Sequence, residues 1–478
     1  MIKNKLINHN FPIIFLLLLC LSCVVLHSSF GRPLWIDEFL HFAFGSYKTT
    51  PEAWGMISQS ILGVNHGQTG IYMLINYWLM QLFGANTFWL RFPSIISGLF
   101  LFLATLYLFR LWGLPFLWQV MGILALASQT QLMYFVGEAR PYMPLVTAAV
   151  CTLGYYSTPL SQRSRPIFTL FGLFSILMGV LFHPYFSVYW LAIIVFTYCQ
   201  KLIEAGEKFS VYSVLEHVNI PLSVMGTIVY FYLGSLTWLR GRPDFEFTLD
   251  PFQFVKKDQL IIPFIKWGHF EFLQKLLYPF FLYPFLIVTI LILIVIFSKN
   301  HQRVYLKNII SPVLLIIMAL SISIFLSYIS FRSNYWILTR QWVASIALVS
   351  LGFIWFAYKV SKLLWKNHVI LAFLWMILCF APIGIKFTEV AKTNSQLMGE
   401  RLAKTATLSP ESQDSFKDLE SIEYFDKPET LKSWLSKINA ANNSGKPTSD
   451  YWVSLANKNI QQGGKVWKGF RSFYDDSK

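Results

Sequence analysis

Residues 309–329, IISPVLLIIMALSISIFLSYI, decide the structural class of this protein. The stretch contains no charged side chain. As a helix rising about 1.5 Å per residue it would extend about 31 Å, which matches the roughly 30 Å hydrocarbon core of a bilayer. Similar apolar runs recur from near residue 11 to near residue 385. The sequence therefore predicts an all-α, polytopic membrane protein.

The composition agrees with this class and argues against others. Of the 478 residues, 55% are hydrophobic and 13% are charged, about half the charged share of a soluble domain. The net charge of +15 suits a membrane protein, because cytoplasmic loops collect Lys and Arg. No basic cluster alternates with exposed aromatics, so nucleic acid is not indicated as a partner. The five cysteines lie inside apolar runs and form neither a metal pattern nor a disulfide framework.

Charge placement predicts the orientation of the chain. Lys3 and Lys5 precede the first apolar run, residues 11–30, and so place the N-terminus in the cytoplasm. Residues 31–92 then form the first outer loop. The apolar segment 68–83 within this loop reaches only about 25 Å as a helix. We expect it to stay on the outer side as a juxtamembrane helix.

With that segment kept outside, the inward end of every predicted span meets Lys or Arg. The eleven predicted spans are residues 11–30, 93–107, 116–136, 145–159, 167–182, 185–198, 220–234, 276–297, 309–329, 338–358 and 369–385. This topology gives a transmembrane domain over residues 1–387, with a middle outer loop at 235–275. A small polar extracytoplasmic tail follows at 388–478. The plasma (inner) membrane is the predicted location.

Two adjacent carboxylates follow the first span. They belong to Trp35-Ile36-Asp37-Glu38 and lie close to the expected level of the lipid headgroups. One interpretation is a solvated turn or a helix cap. The other is a general base that takes a proton from an acceptor hydroxyl, with Asp37 as the base and Glu38 supporting it.

Cationic and imidazole side chains occupy other outer ends. Glu138-Ala139-Arg140-Pro141-Tyr142 contains a permanent cation whose planar donor fork suits phosphate, and His183 stands at the next outer end. A helix-end anchor and an interfacial histidine are the simpler interpretations. Arg332 and Arg340 lie outside, against the usual orientation bias, and a lipid-linked phosphate would explain them.

Features that the sequence lacks argue against a transporter and against an enzyme that uses a nucleotide-activated substrate. The predicted spans carry almost no charge at mid-depth, where pumps and ion-coupled transporters usually keep ionisable residues. The sequence also has no Gly-rich nucleotide fingerprint, no phosphate loop and no two-histidine metal helix. A sugar nucleotide is therefore not indicated, which favours a sugar carried on a lipid.

These residues, in this order and on one face, resemble the GT-C glycosyltransferases, in particular the bacterial superfamily similar to protein O-mannosyltransferases and lipid A aminoarabinose transferase. The match runs from about Leu34 to Arg340 and is densest before His183. The matching motifs are Trp35 with Asp37 and Glu38, Asn65-His66-Gly67-Gln68-Thr69-Gly70-Ile71-Tyr72, Phe83-Gly84, Arg91-Phe92-Pro93-Ser94 and Glu138 to Tyr142. The resemblance implies a GT-C-like bundle of about eleven transmembrane helices and supports the juxtamembrane helix in the first outer loop.

Three features depart from the family pattern. The usual His-Pro-Pro turn is Gly67-Gln68-Thr69 after His66. The late Arg-Tyr pair is Arg340-Gln341-Trp342, and the tail carries no family signature. These departures leave the acceptor unassigned, whether a lipid, a glycan or a protein.

The resemblance implies an enzyme, a hexosyl- or pentosyltransferase that uses a polyprenyl-phosphate sugar at the outer face. The implied catalytic residues are Asp37 and Glu38. The implied ligands of the donor phosphate are Arg140, Arg340, His183 and Tyr142, and the implied acceptor or carrier contacts are His66, Glu138 and Tyr72. No cofactor is assigned, and a divalent metal held by Glu138 or His183 is left open.

Two other functional classes stay open from the sequence. A polysaccharide polymerase or ligase would act on the same carrier lipids, and we expect it to have a large outer loop with several arginines. Residues 235–275 fit that expectation only in part. A non-enzymatic lipid flippase or transporter would need a polar path across the membrane.

Overall fold

The computed structural model describes part of the chain in detail. The described residues are 2–28, 38, 41, 49–58, 69–83, 87–205, 209–233, 287–294, 302–332 and 342–406. In these ranges every regular element is helical, as the composition predicts.

The helices are labelled here in chain order. They are α1 (Ile2–His27), α2 (Thr50–Ser58), α3 (Ile71–Phe83), α4 (Thr87–Leu111), α5 (Phe116–Ala127), α6 (Thr130–Met133), α7 (Tyr142–Ser157), α8 (Leu160–Arg163), α9 (Pro166–Phe182), α10 (Phe186–Ala205), α11 (Val211–Val218), α12 (Ile220–Leu233), α13 (Gln302–Arg332), α14 (Val343–Asn367) and α15 (Val369–Ala406). A short 3₁₀ helix, Tyr134–Gly137, lies between α6 and α7.

Helix α7 is the centre of the bundle. Its residues 142–156 are all buried, and it packs against α4, α9, α10 and α14. Small side chains such as Ala148, Ala149 and Gly154 lie along it, and they allow neighbouring helices to approach closely. The two ends of α7, Tyr142 and Ser157, therefore lie within the packed bundle.

A second packed group holds the C-terminal helices. Helix α14 lies between α13 and α15 and also contacts α7. Trp112, just after α4, stacks on Trp355 of α14, with ring centroids 4.3 Å apart and planes 5° apart. This stacking joins the N-terminal and C-terminal halves of the bundle.

Several helices are long and apolar enough to cross a membrane. Among the described residues these are Phe88–Leu111, Phe186–Glu204, Ile309–Leu326, Val343–Lys366 and Val369–Gln396. Two bent helix pairs, 116–137 and 211–232, raise the number from five to seven if each pair counts as one span. The protein is an integral membrane protein, while the total of eleven crossings and their orientation stay predictions.

Helix α3 is the predicted short segment of the first outer loop. It contains 13 residues, so it extends about 20 Å and falls short of the hydrocarbon thickness. It packs against α2, α4 and α9. The segment is thus helical and short, as expected of a juxtamembrane helix.

The predicted straight span 116–136 is broken. Helix α5 ends at Ala127, and the following helical stretch is turned by 69°. The carbonyl of Ala127 accepts a hydrogen bond from His27 Nε2 (2.8 Å), while the Ser128 hydroxyl donates to the Ala125 carbonyl (2.8 Å). These contacts take up carbonyls at the helix end, where capping groups are needed. The 138–142 block therefore follows a bend in the chain.

Helix α15 runs through the predicted boundary between residues 387 and 388 and ends at Ala406. Asn394 Nδ2 donates to the Leu26 carbonyl (2.9 Å), which ties this extension to the end of α1. The start of the predicted tail is therefore helical and attached to the bundle. The remainder of the tail, 407–478, lies outside the described residues.

Candidate functional site

Six of the predicted site residues lie in the described part of the chain. They are Glu38, Tyr72, Glu138, Arg140, Tyr142 and His183. Asp37, His66 and Arg340 lie outside it, as does the middle loop 235–275. The described contacts are those of Glu38 and of the residues that it reaches.

Glu38 forms a buried ion pair with Arg91 at the start of α4. Arg91 Nε donates to Glu38 Oε1 and Arg91 Nη2 donates to Oε2, both at 2.9 Å. Each side chain is 2% exposed. The backbone N–H of Ala139 also donates to Glu38 Oε1 at 2.6 Å. Through this one carboxylate, Glu38 contacts both α4 and the 138–142 block.

The two-point contact explains why arginine stands at position 91. Its guanidinium fork meets both carboxylate oxygens at once, which a lysine ammonium cannot do. Removing one member of such a buried pair costs about 3–5 kcal/mol, because the other charge is left without its counter-charge. Sequence reasoning placed Arg91 in a family motif but gave it no role.

Tyr72 supports the same block through Ser94. The Ser94 hydroxyl donates to the Arg140 carbonyl at 3.1 Å, and its oxygen lies 2.7 Å from the Tyr72 hydroxyl. A serine has one proton to donate, so Tyr72 is the donor to Ser94. Burial raises the pKa of Tyr72, which keeps the hydroxyl protonated and able to donate.

The 138–142 block is a tight connection between the 3₁₀ helix and α7. The Arg140 N–H donates to the Glu138 carbonyl at 2.8 Å. Both side chains are buried, Glu138 at 2% and Arg140 at 5% exposure. The Arg140 guanidinium carbon lies 5.6 Å from the ring centroid of Tyr142. The predicted phosphate ligand is therefore a buried cation with an aromatic neighbour.

His183 follows the last residue of α9 and is fully buried. Its Nδ1 accepts a hydrogen bond from the Tyr185 N–H at 3.2 Å, so the neutral ring carries its proton on Nε2. That Nε2 atom has no hydrogen-bond partner. Burial, followed by the charge of Arg140, lowers the pKa of His183 to about 3. His183 is thus a neutral N–H donor near Arg140.

His183 and the 138–142 block belong to one cluster with α3. The His183 ring centroid lies 5.8 Å from that of Tyr142. Tyr72 packs edge-on against Phe182, which precedes His183, at 6.0 Å. The Thr69 hydroxyl also donates to the Leu181 carbonyl. The end of α9 is therefore fastened to the start of α3 beside the cluster.

His41 is a member of the cluster that sequence reasoning missed. It is fully buried, and its Nδ1 accepts a hydrogen bond from Asn76 Nδ2 at 2.9 Å. The proton is therefore on Nε2, which has no hydrogen-bond partner. Burial, and then the charge of Arg140, holds the pKa of His41 well below its ordinary value. The available signal was its spacing, since i and i+3 residues share a helix face and His41 follows Glu38 by three.

The described residues do not assemble a group of three His, Cys, Asp or Glu side chains suited to a metal ion. Glu138 and His183, the two predicted candidates, are both buried in the cluster. His183 carries its proton on Nε2 because Nδ1 accepts from Tyr185. That tautomer favours donation from Nε2 to an oxygen ligand, whereas a metal would need the nitrogen lone pair.

Comparison with protein-family models and with curated proteins finds no match. Among solved structures, the chain is similar to the crystal structure of ArnT from Cupriavidus metallidurans bound to undecaprenyl phosphate, with a TM-score of 0.45 and 11% identity over 84% of this chain and 82% of that one. The apo structure of the same protein gives a TM-score of 0.44 and 12% identity, over 84% and 81% of the two chains.

Proposed function

We propose that this protein is a membrane glycosyltransferase that moves a sugar from a polyprenyl phosphate to an acceptor hydroxyl at the outer membrane face. The observation that carries the proposal is the buried polar cluster. Four segments that are far apart in sequence contact one another in this cluster. Each of them was selected from the sequence, either for its chemistry or as part of a family motif. They are Glu38, the Arg91 to Ser94 motif, the 138–142 block and His183.

The cluster offers donors for an anionic leaving group. Arg140 supplies a permanent charge, while His183 and His41 each carry an N–H on a buried Nε2 atom without a partner. In a water-poor site such prearranged donors stabilise charge that develops in the transition state. Each hydrogen bond to a charged group contributes about 1.5–3 kcal/mol. Arg340 is proposed as a second cation for the same phosphate.

The proposed step is an inverting displacement at the anomeric carbon. The acceptor oxygen forms the new bond to that carbon while the bond from carbon to the phosphate oxygen breaks. The electron pair leaves with the polyprenyl phosphate, and the acceptor proton passes to Asp37. Asp37 is one residue from Glu38, so their Cα atoms are about 3.8 Å apart. The anchoring of Glu38 to Ala139 thus bears on where Asp37 can lie.

An apolar cavity suits the carrier tail. It lies between α10 and α13, encloses about 500 Å³ and is lined almost wholly by apolar side chains. Its lining begins at Val188, five residues after His183, and continues along α10 to Cys199. At about 1.5 Å per residue the lined stretch covers about 16 Å of helix. We assign this cavity to the isoprenoid units nearest the phosphate.

The test is a transfer assay on the purified full-length protein in lipid. It would use a panel of radiolabelled polyprenyl-phosphate sugars with membrane extract as the source of acceptor. We expect Asp37→Asn to lower transfer about 100-fold or more, the range of a positioned base. Glu389→Gln makes the same chemical change on the exposed face of α15 and should keep native transfer.

The outcomes of this assay distinguish a transferase from a polymerase or a flippase. Label that leaves the carrier only with the native protein supports the transferase and identifies the sugar. Near-native transfer by Asp37→Asn would remove Asp37 from the mechanism. A folded native protein that releases no label from any carrier would refute the proposal and favour a polymerase or a flippase.

A further inference from the structure

A second polar cavity lies at the opposite end of α7 from the candidate site. The site contains Tyr142, the first residue of α7, whereas this cavity is lined by Ser157, the last. The two residues are about 22 Å apart along the helix. The cavity encloses about 400 Å³ and is also lined by residues of α8, α10 and α11. It is therefore a separate cavity that the proposed transfer does not use.

The cavity contains a buried cation, Arg163, which is 7% exposed. Its Nε donates to the Thr158 carbonyl (2.9 Å), Nη1 to the His217 carbonyl (3.0 Å) and Nη2 to the Tyr156 carbonyl. An arginine has five N–H groups, so two remain for another acceptor. Among the residues that the structure describes, no carboxylate lies within ion-pair distance of Arg163, although Glu216 of α11 acts on its charge from farther away. The two remaining N–H groups of this buried cation therefore favour an anionic ligand.

Two further polar atoms face the same cavity without a partner. The hydroxyl of Ser157 is buried and makes no hydrogen bond. His217 is 2% exposed, and its Nε2 lies 2.9 Å from the Thr197 hydroxyl, which itself donates to the Ile193 carbonyl. His217 is therefore the donor to Thr197, and its Nδ1 is an acceptor with no partner. The cavity thus presents a free donor and a free acceptor.

The remaining charged side chains of the lining come from α10. They are Lys201, whose ammonium lies 3.5 Å from the Ser213 hydroxyl, and Glu204, which accepts from Gln200 (3.1 Å) and Ser311 (2.8 Å). Together with Arg163, the lining holds two cations and one carboxylate. A ligand that carries both a phosphate and an amine would match both kinds of group.

The exposed apolar face of helix α11 indicates that such a ligand would be a membrane lipid. On one side it exposes Val211 (65%), Tyr212 (76%) and Leu215 (49%), and Phe209 just before it is 71% exposed. Its other side carries the buried His217 into the cavity. Short amphipathic helices with aromatic side chains lie at the membrane interface. The cavity therefore opens beside a helix that belongs at the headgroup level.

We propose that this cavity binds the headgroup of a phospholipid that carries a primary amine, from the leaflet opposite to the candidate site. The phosphate contacts Arg163, Lys201 and the Ser157 hydroxyl. The ammonium contacts His217 Nδ1 and the Glu204 carboxylate. Bound in this way, the lipid joins α7, α10 and α11 at their shared end.

The experiment measures lipid retention by the full-length protein in native mass spectrometry. Delipidated protein in detergent would be offered phosphatidylethanolamine, phosphatidylglycerol or inorganic phosphate. We expect one phosphatidylethanolamine per chain, retained at least about tenfold better than phosphatidylglycerol. Lys201→Met and Ser157→Ala should each lower retention by about tenfold or more. Lys366→Met, which removes an exposed cation at the end of α14, should leave retention unchanged.

The other outcomes overturn the proposal in distinct ways. Equal retention by the native protein and both cavity variants would remove the cavity as a lipid site. Equal retention of phosphatidylglycerol would overturn the amine contacts. Displacement of the lipid by millimolar inorganic phosphate would show a free-anion site instead. Thermal unfolding of each variant tests folding, and none of these readouts depends on sugar transfer.

Discussion

The buried pair of Glu38 and Arg91 is the contact on which the arrangement of the candidate site most depends. Arg91→Met removes the cation and keeps much of the side-chain volume. Glu38 then retains, of its three N–H donors, only that of Ala139. Because both side chains are 2% exposed, water cannot hydrate the carboxylate that is left without Arg91. We expect the free energy of unfolding to fall by about 3–5 kcal/mol.

The double variant Glu38→Gln with Arg91→Met distinguishes a broken pair from general damage. Each single change removes one member of the buried ion pair, so the two losses added together come to about 6–10 kcal/mol. In the double variant no charge remains, and the Gln carbonyl oxygen can still accept from Ala139. The remaining cost is that of an imperfectly bonded amide, about 1–3 kcal/mol. The double variant should therefore be more stable than either single variant.

The assay is unfolding in micelles by titration with a denaturing detergent, followed by tryptophan fluorescence. Lys366→Met is the matched control, since it removes an exposed cation of α14 and should change the free energy of unfolding by less than about 0.5 kcal/mol. Single losses below about 1 kcal/mol would refute the reasoning. So would losses that add in the double variant to within about 0.5 kcal/mol, as expected of independent sites.

Two further predictions concern the same cluster. Tyr72→Phe removes the hydroxyl that donates to Ser94 and should lower the free energy of unfolding by about 0.5–1.5 kcal/mol. Tyr212→Phe, at a side chain that is 76% exposed, should have almost no effect, and equal losses would contradict the hydrogen bond. The pKa of His183 is lowered to about 3, whereas an unfolded histidine titrates near 6.5. Between these values the unfolded chain binds the proton first, so stability falls as the pH drops from about 6.5 towards 3. His183 contributes about 1.4 kcal/mol per pH unit to that slope, and an unchanged slope in His183→Gln would contradict its neutral, buried state.

The sequence singled out several side chains that the structure brings together, but it did not predict their contacts. Residue type and span ends were enough to select Glu38, Arg140 and His183. The partner of Glu38 is Arg91, which is 53 residues away in sequence, and its other donor is Ala139, which is 101 residues away. Periodicity and charge placement carry no information about such pairings. His41 was missed for the same reason, because its role depends on Asn76 of α3.

The bend after α5 is a feature of the fold that the sequence alone did not predict. Residues 126–130 read Leu-Ala-Ser-Gln-Thr, with neither Pro nor Gly to indicate a break in the apolar run. The carbonyl of Ala127 accepts from His27, a residue of α1. Helix α1 thus takes up a carbonyl that continuation of α5 would have used. The bend follows from packing between distant helices, and a sequence window over residues 116–136 does not contain that cause.

The contacts of Glu38 also indicate different roles for the two adjacent carboxylates, Asp37 and Glu38. A general base must have a free lone pair for the incoming proton and must tolerate the loss of its charge. Glu38 already accepts three N–H donors, and its protonation would remove the carboxylate charge that Arg91 contacts at two points, at a cost of several kcal/mol. Glu38 is therefore suited to positioning, and the proposed proton transfer is assigned to Asp37. On this reasoning Glu38→Gln should lower stability and transfer together, whereas Asp37→Asn should lower transfer with native stability. Native stability in Glu38→Gln with transfer abolished would reverse the assignment.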